Sequence, residues 1–185
     1  MRYAAFLRGV NLGKHNRLPM ADLRGALRAI GLEQVSTYRQ TGNVLFDSDL
    51  TDKEEIARRI EALMPELGCT NVAVMVRSAA ELGRIVKLRP FPDESPAFLH
   101  YVSFLRAPTP ATLPPARAHE ILLHTDLEVF SRISQQAPNA TAPNSYLEAK
   151  LKVPVTTRYW EVVRGIYGLI QAQPALEGTS VNHKL

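Results

Sequence analysis

The stretch of this 185-residue chain best equipped for chemistry reads Arg8, Gly9, Val10, Asn11, Leu12, Gly13, Lys14, His15, Asn16, Arg17. Three cations and two amides supply hydrogen-bond donors, and the glycines allow a backbone to approach a ligand closely. That combination suits an anion. The loop also leads into Pro19 and Met20, where a helix is expected to begin and where free N–H groups favour negative charge. The competing reading is a loop held by its own hydrogen bonds with its arginines on the surface. Gly9, Gly13 and Lys14 imitate a phosphate-binding P-loop, but that motif has four residues between the glycines and Ser or Thr after the lysine. Here three intervene and His15 follows, which excludes P-loop nucleotide hydrolysis.

Two further groups are rich in donors. Arg39, Gln40, Thr41, Gly42 and Asn43 lie at the junction of two short strand-like runs; turn chemistry accounts for Gly42 and Asn43 but not for Arg39 and Gln40. Thr156, Thr157 and Arg158 follow Pro154, and Thr157 is expected to cap the last helix. The candidate ligand contacts are therefore Arg8, Asn11, Lys14, Asn16, Arg17, Arg39, Gln40, Asn43 and Arg158. No catalytic group can be assigned. His15 is the one histidine among polar candidates, as consistent with a solvated loop as with a general base. Asp22 and Glu148 read as helix surface, and no metal-ligand spacing is present. No cofactor is expected.

The elements that must position these residues follow from periodicity. Tyr3 to Leu7 forms a strand, and Pro19 is expected as the first residue of an amphipathic helix through Met20, Leu23, Leu27 and Ile30 that stops at Gly31. Val35–Tyr38 and Val44–Phe46 should pair as an antiparallel hairpin. Thr51 and Glu54 suggest a capping box before Ile56, Ile60, Leu63 and Met64, and Val72, Val74 and Val76 form a fourth strand. The order β-α-β-β-α-β is that of a ferredoxin-like split unit with helices on one face of an antiparallel sheet. Ser78 and Glu81 open a further capped helix, and Pro90, Pro92 and Pro96 mark a boundary. From Phe98 come a strand to Leu105, a short helix from Thr109, a hairpin of His119–His124 and Leu127–Arg132, a polar loop from Gln135 to Asn144, helical turns over Ser145–Leu151, and a largely apolar helix from Arg158 to about Gln171. The expected organisation is α+β: a first ferredoxin-like subdomain over 1–88, a second, incomplete or modified one over 98–172, and a tail over 173–185. In such a fold the end of the first strand and the β2–β3 turn need not share an edge, so convergence of the three segments stays open.

Composition bounds the rest. A hydrophobic content of 45% suits a buried core, and no apolar run approaches the roughly 20 residues of a membrane span. Tyr3–Leu7 is too short for a signal-peptide core, so the expected location is cytoplasmic. The single Cys69 excludes an internal disulfide and reads as an inert thiol. Net charge is +4, unevenly placed: residues 1–46 hold seven Arg or Lys against two acids, and residues 47–66 hold three against seven.

The segments Phe6-Leu-Arg-Gly-Val-Asn-Leu-Gly through Asn16-Arg-Leu-Pro-Met20, Gln40-Thr-Gly-Asn-Val-Leu-Phe46, and Thr156-Thr-Arg158 with Trp160 resemble a bacterial family of uncharacterised proteins, domain of unknown function 1697. The resemblance spans nearly the whole chain. It implies two ferredoxin-like α+β subdomains and no established activity, and its motif positions here are Arg8, Gly9, Asn11, Gly13, Asn16, Gln40, Gly42, Asn43, Thr157, Arg158 and Trp160. This chain departs from it at Lys14, where a second glycine is usual, near His15, where a lysine is usual, and at Tyr159, where asparagine is usual.

Three functions compete on these residues. The leading one is a binding module for a phosphate-bearing or other anionic ligand, a nucleotide or nucleic-acid backbone, with Arg8, Lys14 and Arg17 on phosphate and the amides fixing orientation. The second is an enzyme acting on a small anionic substrate, for which no nucleophile or acid/base pair is recognisable. The third is a structural or oligomeric role, which an internally bonded loop with divergent arginines would favour.

Overall fold

A run of apolar residues from Tyr3 to Leu7 cannot alternate between core and solvent, and β1 (Arg2–Arg8) is buried on both faces. In the computed structural model, which describes residues 1–13, 15–92, 94–109, 113, 119–137 and 142–172, β1 is followed by α1 (Met20–Ala29), β2 (Glu33–Thr37), β3 (Asn43–Asp47), α2 (Lys53–Leu63), β4 (Ala73–Ser78) and α3 (Ala79–Lys87). The first sheet has the order β2-β3-β1-β4, antiparallel throughout, which is ferredoxin-like. One face, with Tyr3, Ala5, Leu7, Phe46 and Val74, packs under α1 and α2 around Leu23, Leu27, Ile56 and Ile60.

The second half supplies β5 (Phe98–Leu105), β6 (Glu120–His124), β7 (Glu128–Ser134), α4 (Asn144–Leu151), β8 (Val155–Tyr159) and α5 (Trp160–Ala172). Its sheet order, β6-β7-β5-β8, repeats that of the first, again antiparallel. The chain is thus α+β with two ferredoxin-like sheets, as its periodicity predicts. In each half the last strand runs directly into a helix, at Ser78/Ala79 and at Tyr159/Trp160, and those helices, α3 and α5, pack together.

The sheets face each other. Ala4, Phe6, Leu45 and Met75 from the second face of the first sheet share a core with Val102, Phe104 and Phe130, closed by α3 and α5. The rings of Phe6 and Phe104 stack with centroids 4.0 Å apart at 10°. Burying one such side chain stabilises by about 1.5–3 kcal/mol, so this layer holds the halves together. Polar ties flank it: Arg77 of β4 donates to Glu128 at 2.6 Å and to the carbonyls of Leu105 and Leu127. The outer face of the second sheet carries Leu105, Val129 and Val155, which pack against Leu147 and Leu151 of α4.

Several expectations need correction. Residues 155–159 form strand β8, so Thr157 lies in a sheet and the last helix starts at Trp160, not Arg158. Thr157 bonds Ser103 on the neighbouring strand at 2.7 Å instead of capping. The α2 cap is Asp52, not Thr51: its carboxylate accepts from the N–H groups of Glu54 and Glu55. Pro19 is itself the N-cap of α1 rather than its first residue. Ser78 and Glu81 do form a capping box. The helix expected from Thr109 falls largely, and the tail 173–185 entirely, outside the described residues. Among those described, no helix is long and apolar enough to cross a membrane.

Candidate functional site

Antiparallel pairing of β1 with β3 sets Phe6 opposite Asn43, which places the end of β1 against the β2–β3 turn. Leu7 N–H donates to the Gly42 carbonyl at 2.8 Å. Gly42 has φ +71°, and a Cβ there would lie 2.6 Å from Val10 Cγ2 and 2.9 Å from Leu7 Cβ, so only glycine fits. The third segment arrives on β8, whose Thr156 hydroxyl reaches the Leu7 carbonyl at 3.5 Å. All three donor-rich segments converge at one end of β1.

They converge on each other. Arg158 donates from Nε to Asn43 Oδ1 at 2.5 Å, from Nη1 to Thr156 Oγ1 at 2.7 Å and the Thr157 carbonyl at 2.9 Å, and from Nη2 to the carbonyls of Leu7 at 2.8 Å and Thr41 at 2.9 Å. A guanidinium has five N–H donors, and these contacts use all of them. Asn43 is fully buried, and its amide nitrogen donates to the Tyr38 carbonyl and Thr41 Oγ1. Every acceptor around Arg158 is neutral. Burial pushes its pKa down to about 10, which leaves it charged at neutral pH.

The first loop is held from both ends by asparagines with positive φ, a conformation this residue tolerates better than most. The Asn11 amide donates to the carbonyls of Leu18 and Gln40 and accepts from Leu18 N–H. The Asn16 amide donates to the carbonyls of Gly9 and Thr70 and accepts from Thr70 N–H. A backbone bond from Asn11 N–H to the Asn16 carbonyl closes the loop at 2.9 Å. Each amide thus replaces several backbone partners, which is how an irregular segment satisfies its polar groups.

The arginines point apart. Arg8 forms a bidentate pair with Glu148 of α4, Nε to Oε1 at 2.5 Å and Nη2 to Oε2 at 2.8 Å. Glu148 also accepts from Val155 N–H at 2.9 Å. Burial acts to raise the Glu148 pKa, but the hydrogen bonds from Arg8 and Val155 outweigh it and hold the carboxyl below its ordinary value. Glu148 is therefore not idle helix surface, and no sequence signal links it to a residue 140 positions earlier. Arg39 pairs with Glu161 at 3.1 Å across exposed surface, an interaction of small worth. Arg17 is exposed with no ion pair or side-chain hydrogen bond among the described residues, and the exposed Gln40 engages Asn11 through its backbone carbonyl. His15 is also exposed, and Lys14 lies outside the described residues.

A family model described as Protein of unknown function (DUF1697) matches residues 1–136. The chain belongs to that family. The match contains the first two donor-rich segments, whereas Arg158 lies beyond it. No curated protein matches. Among solved structures, this DUF1697 chain is similar to the conserved bacterial protein SP0830 from Streptococcus pneumoniae, with a TM-score of 0.64 and 22% identity over 91% of this chain and 98% of that one. That likeness supports the shared fold of two antiparallel sheets.

The site can do limited chemistry. Among the described residues no group of three or more His, Cys, Asp or Glu is placed to hold a metal ion. Cys69 is buried, and burial pushes its thiol pKa up, away from the reactive thiolate. A cleft of about 320 Å³ lies elsewhere, beside Lys53, Glu54, Arg77 and Arg106. Its cations are already paired, Lys53 with Glu81, Arg77 with Glu128, and Arg106 with Glu54 and Glu61.

Proposed function

We propose that the three donor-rich segments act as an architectural clamp, fixing the two sheets of this DUF1697 protein in one rigid platform. The observation that carries this reading is the saturation of Arg158, whose donors all end on oxygens of β1, the β2–β3 turn and its own strand. The paired Arg8 and the internally bonded Asn11, Asn16 and Asn43 favour the same role. A double-mutant cycle tests it: Arg158→Ala and Asn43→Ala should each lower stability and should couple by about 1 kcal/mol or more. Additive effects would sink the clamp.

A second reading, a binding module for a phosphate-bearing or other anionic ligand, is favoured by one observation. The Arg158 charge faces no carboxylate, and Arg17 and Gln40 stand unclaimed beside the same loops. In this reading Arg17 and Gln40, with Lys14, meet the anion, and the clamp holds the loops of Arg17 and Gln40 in place, a preorganisation that reduces the entropy cost of binding. Titration of a mononucleotide and of a single-stranded oligonucleotide from low to physiological salt separates the ligand classes. Binding to the oligonucleotide should weaken with salt and fall in Arg17→Ala. If neither ligand binds at low salt, the anionic reading is abandoned and the clamp stands alone.

A further inference from the structure

Matched by strand order and strand-to-helix junction, the helix-facing rows of the two sheets correspond. Phe46, Tyr3 and Ser78 occupy one row of the first sheet, and Ser131, Tyr101 and Tyr159 the equivalent row of the second. In the next row Val44, Ala5 and Val76 correspond to Val129, Ser103 and Thr157. Leaving aside the tyrosines and Ser78, these positions are apolar in the first unit, whereas the second places hydroxyls at Ser103, Thr157 and Ser131, the last in place of the buried phenyl ring of Phe46.

Two of the hydroxyls satisfy each other, Ser103 with Thr157. Ser131 Oγ is completely buried and has no hydrogen-bond partner among the described residues. The same is true of His119 Nδ1, in a residue 9% exposed, and of Asn144 Oδ1. These atoms belong to one layer. His119 immediately precedes β6 and by alternation shares the face of Ile121, the register partner of Ser131. Asn144 lies three and seven residues before Leu147 and Leu151, on the stripe of α4 that packs against the sheet.

Native interiors rarely leave three polar atoms of one layer unpaired. We propose that the second unit encloses, between α4 and its sheet, a site for a small uncharged polyol of about glycerol's size, bound by His119, Ser131 and Asn144. Vicinal hydroxyls both donate and accept, which matches an amide oxygen, a hydroxyl and an imidazole nitrogen, and apolar neighbours such as Val129 suit the carbon chain. A charged ligand does not fit, because the charges around this layer are spent or turned away. Glu148 is held by Arg8, and Glu128 and Arg158 lie at alternate positions on the opposite face, where Arg77 and Asn43 engage them. Burial keeps the His119 imidazole neutral.

Thermal denaturation of the full chain in a glycerol titration tests the site, with Ser131→Ala and Asn144→Ala as variants and 1,3-propanediol as the probe lacking one hydroxyl. The expected result is a saturable rise in Tm of several degrees at millimolar glycerol, smaller with propanediol and lost in both variants while their circular dichroism stays native. A rise that is linear and the same in all three proteins is solvent exclusion and overturns the proposal. So does Ser131→Ala melting above the parent, which would mean that the hydroxyl is simply unpaired. Variants that melt lower while no protein responds saturably to glycerol would assign the site to water alone and equally overturn it.

Discussion

Arg158 Nε lies 2.5 Å from Asn43 Oδ1, joining residues 115 positions apart, and through that contact the strand completing the second sheet is locked to the first residue of β3, where the β2–β3 turn ends. The side-chain hydrogen bond stands above the stacked Phe6 and Phe104, with the guanidinium 6.0 Å from the Phe6 ring centre. Packing and polar fixation therefore act at the same point.

Arg158→Lys keeps the charge but cannot reproduce the fork, so several oxygens lose their donor at once. Stability measured by urea unfolding should drop by roughly 2–3 kcal/mol, since each unpaired buried group costs about 1–3 kcal/mol. A Lys variant as stable as the parent would show that the five contacts contribute nothing measurable.

Gly42→Ala should be among the most damaging single-methyl additions in the chain. Its positive φ and the 2.6 Å approach to Val10 Cγ2 act together, and a loss of about 2–3 kcal/mol in denaturant unfolding is expected. Gly25→Ala is the control: no neighbour lies within 4 Å of its Cβ position, and α1 should gain about 0.5–1 kcal/mol.

Asn11→Ala removes three hydrogen bonds and the side chain that eases a positive φ. About 2 kcal/mol should be lost. Asn11→Gly should recover part of this because it restores the backbone freedom but not the bonds. If Gly and Ala are equally damaging, hydrogen bonding alone accounts for the asparagine.

Acid should loosen the Arg8–Glu148 tie. The folded carboxyl sits below its ordinary value of 4.5, so its contribution to stability is complete above that pH and disappears as pH falls through the lower folded value. Glu148→Gln should make stability less sensitive to pH in that acidic window while lowering it near neutrality. A pH profile parallel to that of the parent would show that this pair is not responsible.

Much of this architecture is legible in the residues. Apolar Tyr3–Leu7 marks a strand with no solvent face, and Ser78 with Glu81 marks a true capping box. β8 is not, because Thr156, Thr157 and Arg158 before an apolar helix look like a cap; only pairing with β5 reveals a strand. Convergence of the first two segments was implicit in the topology, since antiparallel neighbours put the end of β1 beside the start of β3. What the residues could not disclose is what their donors bond to. An arginine or asparagine in a glycine-bearing loop has the same signature whether its acceptor is a phosphate or a carbonyl of the same chain, and Glu148 and Thr70, the decisive acceptors for Arg8 and Asn16, sit in unremarkable contexts.

The carbonyl of Leu7 carries one further consequence, for synthesis rather than for the finished fold. Its Arg158 donor is 151 residues later, and the sheet that covers Phe6 is completed by the same late strand. At about 5–20 residues per second, translation separates these groups by on the order of ten seconds. From the completion of β4 until β5 and β7 are made, the nascent first sheet lacks the strands that cover Phe6, Leu45 and Met75, so this apolar face depends for its burial on the later half of the chain.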